Sequence, residues 1–144
     1  MKDALHTQKH VAPLHFRLHA EFQQRAIGTV AVFLDGELDF YTARVLSEKL
    51  DWIRAARIKR LIIDLSEVTY LDYTGISLIV YTYRSMVARR RSVVCVQPRS
   101  FSAKGALEKT KIAYGLPFVS FVEQADEAFE SGLASTGEPA LLAE

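Results

Sequence analysis

Cysteine is almost absent from this chain of 144 residues. Cys95 stands alone, which excludes an intrachain disulfide and a multi-cysteine zinc site. Net charge is equally scarce: 18 Lys and Arg offset 17 Asp and Glu, leaving a formal +1, so no global basic field exists to hold nucleic acid. No apolar run approaches the ~18–20 residues that span a bilayer. The stretch Met1 to His10 lacks an apolar leader, so neither membrane insertion nor export by that route is expected. Neither common phosphate cradle, Gly-x-x-x-x-Gly-Lys-Ser/Thr or Gly-x-Gly-x-x-Gly, occurs. Together with the lack of a base–nucleophile set, this argues against an enzyme and against a nucleotide cofactor. What is present is 49% apolar and 24% charged residues, an ordinary globular composition long enough for one domain with its own core. The simplest expected compartment is a reducing cytoplasm.

Residues 1–12 show no periodicity and are expected as a flexible arm, residues 13–131 as one domain, and residues 132–144 as a flexible tail of small residues, Gly and Pro. Leu14, Phe16, Leu18, Ala20 and Phe22 alternate with polar residues, the period of a half-buried strand. Gln23-Gln24-Arg25 reads as a turn, and Ile27 to Leu34 as a more central strand ended by Asp35-Gly36-Glu37-Leu38-Asp39. From Thr42, a suitable N-cap, Leu46, Leu50 and Ile53 share one helical face. Leu61 to Leu65 predicts a buried parallel strand followed by a polar turn, Thr74 to Arg90 a helix, and Val93 to Val96 a further strand. A short helix over 101–110, a strand over 118–122 and a helix over 124–131 complete the chain. Alternating strands and helices predict an α/β fold: a mostly parallel central sheet with an antiparallel N-terminal edge hairpin and about four helices.

The stretch from Leu61 to Arg91 carries the most chemistry. A buried strand leads through a turn into Leu71-Asp72-Tyr73-Thr74-Gly75 at a helix start, the kind of strand-to-helix junction where ligands gather in open α/β sheets. Asp72 or Thr74 can cap that helix, and capping alone accounts for such residues at most helix starts. An Asn at 72 is expected to keep most of the cap. On the helix, Ile76, Ile79, Val80, Tyr83, Met86 and Val87 form a core face, while Thr74, Leu78, Tyr81 and Ser85 form the opposite stripe. That stripe is either a docking surface or a scatter of ordinary exposed apolar residues. With Thr74 at its head, a hydroxyl, a helix N-terminus and an apolar ridge fall on one line. A phosphate on Thr74 would add ~1.5–2 negative charges beside free helix amides.

These residues carry a family resemblance. Asp35-Gly36-Glu37-Leu38-Asp39 after the second strand, Leu61-Ile62-Ile63-Asp64-Leu65-Ser66 with Val68, and Leu71-Asp72-Tyr73-Thr74-Gly75-Ile76 match the STAS domain family in order and spacing, from about Leu14 to Ser131. The chain most closely resembles the bacterial anti-sigma factor antagonists. The resemblance implies the STAS sandwich and a non-catalytic regulator. Its partner would be an anti-sigma factor with Ser/Thr kinase activity, bound when Thr74 is unphosphorylated and released when Thr74 is phosphorylated, with a separate Ser/Thr phosphatase. Combined with Leu78 and Tyr81 of the helical stripe, the resemblance gives an expected partner surface of Asp39, Asp72, Tyr73, Thr74, Gly75, Leu78 and Tyr81; no metal and no cofactor are expected. The other role open within the family is a scaffold or sensor component, stressosome-like or transporter-associated. This sequence departs from the pattern at Thr74, where the best-known antagonists have Ser, at the bulky Tyr73, and at Lys111, where a Leu-Thr-Gly motif would place Gly.

The remaining constellations read as structural. His6, His10, His15 and His19 crowd the N-terminus, but Arg17 lies between the last two and argues against a metal. Cys95 reads as an inert core thiol, and Trp52 as a residue at the core's edge. Ser66 and Ser77 are poorer phosphoacceptors than Thr74. Arg84, Arg89, Arg90 and Arg91 cluster near a helix C-terminus, where compensation of the helix dipole is the ordinary role and contact with an acidic partner the other one.

Overall fold

The computed structural model describes residues 9–15 and 17–132. Six strands form one sheet in strictly sequential order. Strands β1 (Lys9–His15), β2 (Leu18–Ala26) and β3 (Thr29–Leu38) pair antiparallel in succession. β4 (Arg60–Leu71), β5 (Ser92–Val96) and β6 (Phe118–Val119) then continue the sheet in parallel. Helices α1 (Phe40–Ala55) and α2 (Tyr73–Ala88) connect the parallel strands, followed by α3 (Phe101–Lys109) and α4 (Ala125–Glu130). Short 3-10 turns occupy Lys111–Gly115 and Val122–Gln124. The expected α/β sheet with four helices is therefore present, with antiparallel pairing at its N-terminal edge.

The side-chain period of two divides the strands between two cores. Leu61, Ile63 and Leu65 of β4 join Val32, Leu34, Val93 and Cys95 against α1, α2 and α3. Their neighbours Ile62, Val94 and Val96 join Ala31 on the other face, under Ala125, Ala128 and Phe129 of α4. Coverage on both faces is why β4 and β5 read as continuous apolar runs. Cys95 is wholly buried, and burial pushes its thiol up to about 12, so it is an inert core residue as expected.

The structure departs from the expectations in definite places. The expected first strand is two strands, and β1 begins at Lys9, inside the expected arm. An edge strand is held by backbone bonds to one neighbour and needs no apolar period, and Pro13 lies where the β1–β2 register slips. The rest of the arm, and the tail beyond Gly132, lie outside the described residues. Gln23-Gln24-Arg25 is not a turn: Gln23 and Gln24 pair with Ala31 and Val30, and the chain reverses at Ile27-Gly28, where Gly28 supplies φ +81°. Nor does Asp35-Gly36 end β3. Gly36, at φ +122°, lets the strand run on to Leu38 beneath the Arg17 carbonyl.

That extension explains a second departure. The residues after Leu65 continue β4 to Leu71 because Asp35, Gly36 and Leu38 of β3 pair with Glu67, Val68 and Leu71. Val68 and Leu71 are buried and anchor this part of the strand. Helix α1 starts two residues before Thr42, capped by Asp39. Trp52, expected at the core's edge, is 73% exposed because it lies off the Leu46–Leu50–Ile53 stripe. β6 is shorter than expected, giving way to the 3-10 turn at Val122.

Two glycines should respond oppositely to alanine. At Gly36 a Cβ would overlap the Arg17 carbonyl oxygen, in a backbone conformation that side chains rarely adopt. Gly36→Ala is expected to destabilise by about 2–3 kcal/mol. Gly105, inside α3, has open space around its missing Cβ, and Gly105→Ala is expected to stabilise by roughly 0.5–1 kcal/mol. Urea unfolding of both variants at neutral pH measures the pair; equal effects would contradict this backbone account.

Candidate functional site

β3 and β4 end in register, Leu38 opposite Leu71. The next residue in each strand is an aspartate, and each aspartate starts a helix. Asp39 caps α1 and Asp72 caps α2. The site is this doubled Leu-Asp step, which sets two helix N-termini side by side.

Asp39 is buried. Its Oδ1 accepts from the Tyr41 and Thr42 amides at 2.9 and 3.0 Å, and Thr42 Oγ1 accepts from the Asp39 amide at 2.9 Å, closing a capping box. Thr42 is thus the third residue of the helix, not its cap. Asp39 Oδ2 accepts from Arg17 Nη1, which also donates to Glu37 Oε1 at 2.6 Å. Burial alone would raise the Asp39 pKa. The Thr42 amide, Arg17 and the Tyr41 amide outweigh it and hold the carboxyl below its ordinary value.

Asp72 joins the two helices. Its Oδ1 accepts from the Gly75 amide at 2.9 Å, the ordinary cap, while its Oδ2 accepts from the Phe40 amide at the start of α1, also at 2.9 Å. Its own amide donates to the Leu38 carbonyl at 3.3 Å. Gly75 completes the junction by close approach: a Cβ there would lie 2.5 Å from the Leu38 carbonyl oxygen. Gly75 is therefore required by packing, whatever else it contacts.

Thr74 occupies the second helical position of α2, half-buried, beside an exposed Tyr73. The amides of Tyr73 and Thr74 belong to the first turn, where no intrahelical acceptor exists. Asp39, Asp72, Tyr73, Thr74 and Gly75 thus come together at one end of the sheet. Leu78 and Tyr81 follow along α2 but differ from each other. Leu78 is half-buried and packs on the main core. Tyr81 is 59% exposed, with the Arg54 guanidinium over its ring at 4.9 Å. The stripe is therefore a ridge anchored at Leu78 and stacked at Tyr81.

Sequence reasoning missed three residues here. Arg17 is the cation that holds Asp39, from 22 positions away in sequence; the β2–β3 register, with Leu18 opposite Gly36, brings it near. Phe40 and Tyr41 are large exposed aromatics, packed edge-on at 5.2 Å beside the caps. Their signal was available, since two consecutive aromatics directly after a capping Asp cannot both face a core. Among the described residues no group of three or more His, Cys, Asp or Glu could hold one metal ion. No helix among them is long and apolar enough to cross a membrane.

Comparison with known proteins bears on the fold that carries these residues. The family model of the STAS domain matches residues 18–125. An anti-sigma-B factor antagonist of Listeria monocytogenes and one of Listeria innocua are each 34% identical over 74 residues, a stretch covering 51% of this chain and 65% of the relative. This chain thus matches just under two thirds of the length of those relatives. An anti-sigma factor antagonist from Mycobacterium paratuberculosis superposes with a TM-score of 0.70 at 23% identity, covering 83% of this chain and 97% of that one. The antagonist SpoIIAA superposes in its unphosphorylated form with a TM-score of 0.61, at 16% identity and over 78% of this chain and 98% of its own. Its phosphorylated form, from Bacillus, gives 0.59 at 16% identity over 76% and 98%. These likenesses establish a shared fold.

The doubled cap predicts two distinct asparagine phenotypes. Both Asp72 oxygens accept hydrogen bonds, and an Asn can supply only one acceptor while turning an NH2 toward the other amide. Asp72→Asn is therefore expected to lose about 1–2 kcal/mol, more than an ordinary cap replacement. Asp39→Asn keeps the cap but loses the Arg17 pair. Because the folded Asp39 pKa lies below its ordinary value, its stabilisation is present above that ordinary value and is lost as pH falls through the folded pKa. The stability gap between wild type and Asp39→Asn should be widest at neutral pH and shrink on acidification. Urea titrations from neutral to strongly acid pH measure it, and a gap independent of pH would refute the charge assignment.

Proposed function

This chain belongs to the STAS domain family, and from that premise we propose that it is an anti-sigma factor antagonist switched by phosphorylation of Thr74. Unphosphorylated, it binds an anti-sigma factor with Ser/Thr kinase activity and so frees a sigma factor. Phosphorylated, it lets go, and a separate Ser/Thr phosphatase resets it. The partner surface comprises Asp39, Asp72, Tyr73, Thr74 and Gly75 at the helix starts and continues along Leu78 and Tyr81. The protein works in the cytoplasm and performs no chemistry of its own.

The observation that carries this reading is the position of Thr74, in the first turn of α2 beside a carboxylate with both oxygens already engaged. A phosphate there adds ~1.5–2 negative charges. The fold tolerates them because the helix N-terminus offers free amides and the positive end of its dipole. A partner packed over Tyr73 and Tyr81 would have to desolvate them beside Asp72. Burying an unpaired charge costs several kcal/mol, and each ~1.4 kcal/mol is tenfold in affinity. SpoIIAA, named an anti-sigma factor antagonist, shares this fold in both its unphosphorylated and phosphorylated forms, which supports a switch that acts through surface charge. Ser66 is a poorer acceptor, since it lies within β4 with its amide tied to Asp64 at 2.8 Å, and Ser77 lies inside α2.

Incubation with the partner kinase and ATP, followed by site mapping by mass spectrometry, should place a single phosphate on Thr74. Thr74→Ala should bind the partner constitutively, and Thr74→Glu should release it only in part, because a carboxylate carries less charge and fewer acceptor oxygens. Phosphate on Ser66 or Ser77, or none on a partner-competent protein, would overturn the switch and favour a scaffold or sensor role. The ridge makes its own prediction. Tyr81→Ala should weaken partner binding at a folding cost below about 1 kcal/mol, whereas Leu78→Ala, which packs on the core, should cost about 1–2 kcal/mol of folding stability. Titration binding and urea unfolding on the same samples separate the two effects.

A further inference from the structure

We propose that the end of the sheet opposite Thr74 docks on an anionic bilayer surface. This goes beyond the antagonist reading and does not depend on it. The β2–β3 turn, the start of β4 and the start of β5 converge there. The Gly28 carbonyl accepts from the Lys59 and Arg60 amides at 2.8 and 3.0 Å, and the Lys59 carbonyl accepts from the Ser92 amide at 2.9 Å. Around this junction stand Arg25, Arg57, Lys59, Arg60, Arg89 and Arg90, all exposed. At the tip of the turn, Ile27 is 94% exposed.

Compensation of the helix ends does not account for this density. Arg89 and Arg91 serve that purpose, donating to the Arg54 carbonyl at 3.0 and 2.8 Å, with Arg91 also reaching the Ala56 carbonyl at 2.9 Å. Arg57, Lys59 and Arg90 have no side-chain partner among the described residues. Arg25 only reaches Gln23 at 3.5 Å, and Arg60 lies over the Phe129 ring at 5.3 Å. Of the carboxylates on the helices that end here, Asp51 is paired with Arg54, and Glu127 and Glu130 stand in the last turn of α4. Arg90 holds φ +62° just past the end of α2, a position that ordinarily favours glycine. A nearly neutral chain thus concentrates cations at one end.

The chemistry of the occupant follows from Ile27. Cations alone would suit any polyanion, but an aliphatic tip at the apex of a convex turn gains nothing from a phosphate backbone. A bilayer offers anionic headgroups to the cations and apolar depth to the tip at the same time. Docking this way would point the Thr74 end away from the membrane.

The test uses the full chain and vesicles of phosphatidylcholine, with or without phosphatidylglycerol, at low and high salt. Trp52, the single tryptophan, is exposed late in α1 and reports docking through its fluorescence. Sedimentation with the phosphatidylglycerol vesicles is expected, falling tenfold or more at high salt. The double variant Arg57→Glu/Lys59→Glu should lose at least tenfold, and Ile27→Ser should weaken binding while keeping the salt dependence. Thr74→Ala should bind like wild type. Circular dichroism checks that each surface variant is folded. Binding to neutral vesicles as strong as to anionic ones, no binding at low salt, insensitivity to the charge reversal, or tighter binding to a DNA or RNA duplex at equal salt would overturn the proposal. Each of those outcomes leaves the antagonist reading intact, because that reading is measured at Thr74.

Discussion

The site depends on one carboxylate that accepts from two helices. Asp72 takes the Gly75 amide of its own helix and the Phe40 amide of the neighbouring one. In an ordinary cap the second oxygen faces water. Here it fixes the start of α1 relative to the start of α2, and the bond from the Asp72 amide to the Leu38 carbonyl fixes both to the end of β3. Gly75 is bound into the same junction, since only a residue without Cβ lets α2 come so close to Leu38. Thr74 lies between these two fixed points, so its position is set by backbone contacts on both sides.

The same geometry orders the charge of the whole domain. Helices that return a parallel sheet run against its strands, so α1 and α2 start at one end of the sheet and finish at the other. Their N-termini are met by Asp39 and Asp72, and the C-terminal carbonyls of α1 by Arg89 and Arg91. Each pairing follows the sign of the helix dipole. A formal charge of +1 therefore conceals an uneven distribution, with carboxylates capping the helix starts at the site end and guanidinium groups meeting the α1 carbonyls at the other. The composition argument against a global basic field holds for the sum and says nothing of how the charge is distributed.

Legibility in the sequence followed the range of the interactions. β4, β5 and the core face of α2 were readable because burial on one or both faces writes its own period into consecutive residues. The Asp72 cap was readable for the same local reason, and the ordered triplet of motifs carried the family. Three kinds of feature were not. The continuation of β4 through Ser66 to Leu71 looks like a polar turn until Gly36 allows β3 to extend alongside it. The turn at Gly28 was masked by the more polar Gln23-Gln24-Arg25, although a reversal needs a suitable φ more than it needs polarity. Arg17 acts on Asp39 across the β2–β3 pairing, and no local pattern announces a contact set by strand register.

A phosphate switch asks for a site that registers charge without rearranging. The two caps meet that requirement in different ways. Asp72 cannot turn aside for an added phosphate without releasing an amide of α1 or α2, so its negative charge stays beside Thr74. Asp39 is held ionised by its amides and Arg17, with a pKa below the ordinary carboxylate value, so protonation does not disturb the α1 cap near neutral pH. Charge added at Thr74 would then meet a carboxylate whose two oxygens are already committed to helix amides. On the proposed reading its effect would be directed outward past Tyr73, Phe40 and Tyr41, large aromatics that the fold leaves in solvent at the same helix starts. In the proposed switch, a rigid junction surrounded by exposed rings would report one hydroxyl's modification to a partner while the sheet and both cores stay as they are.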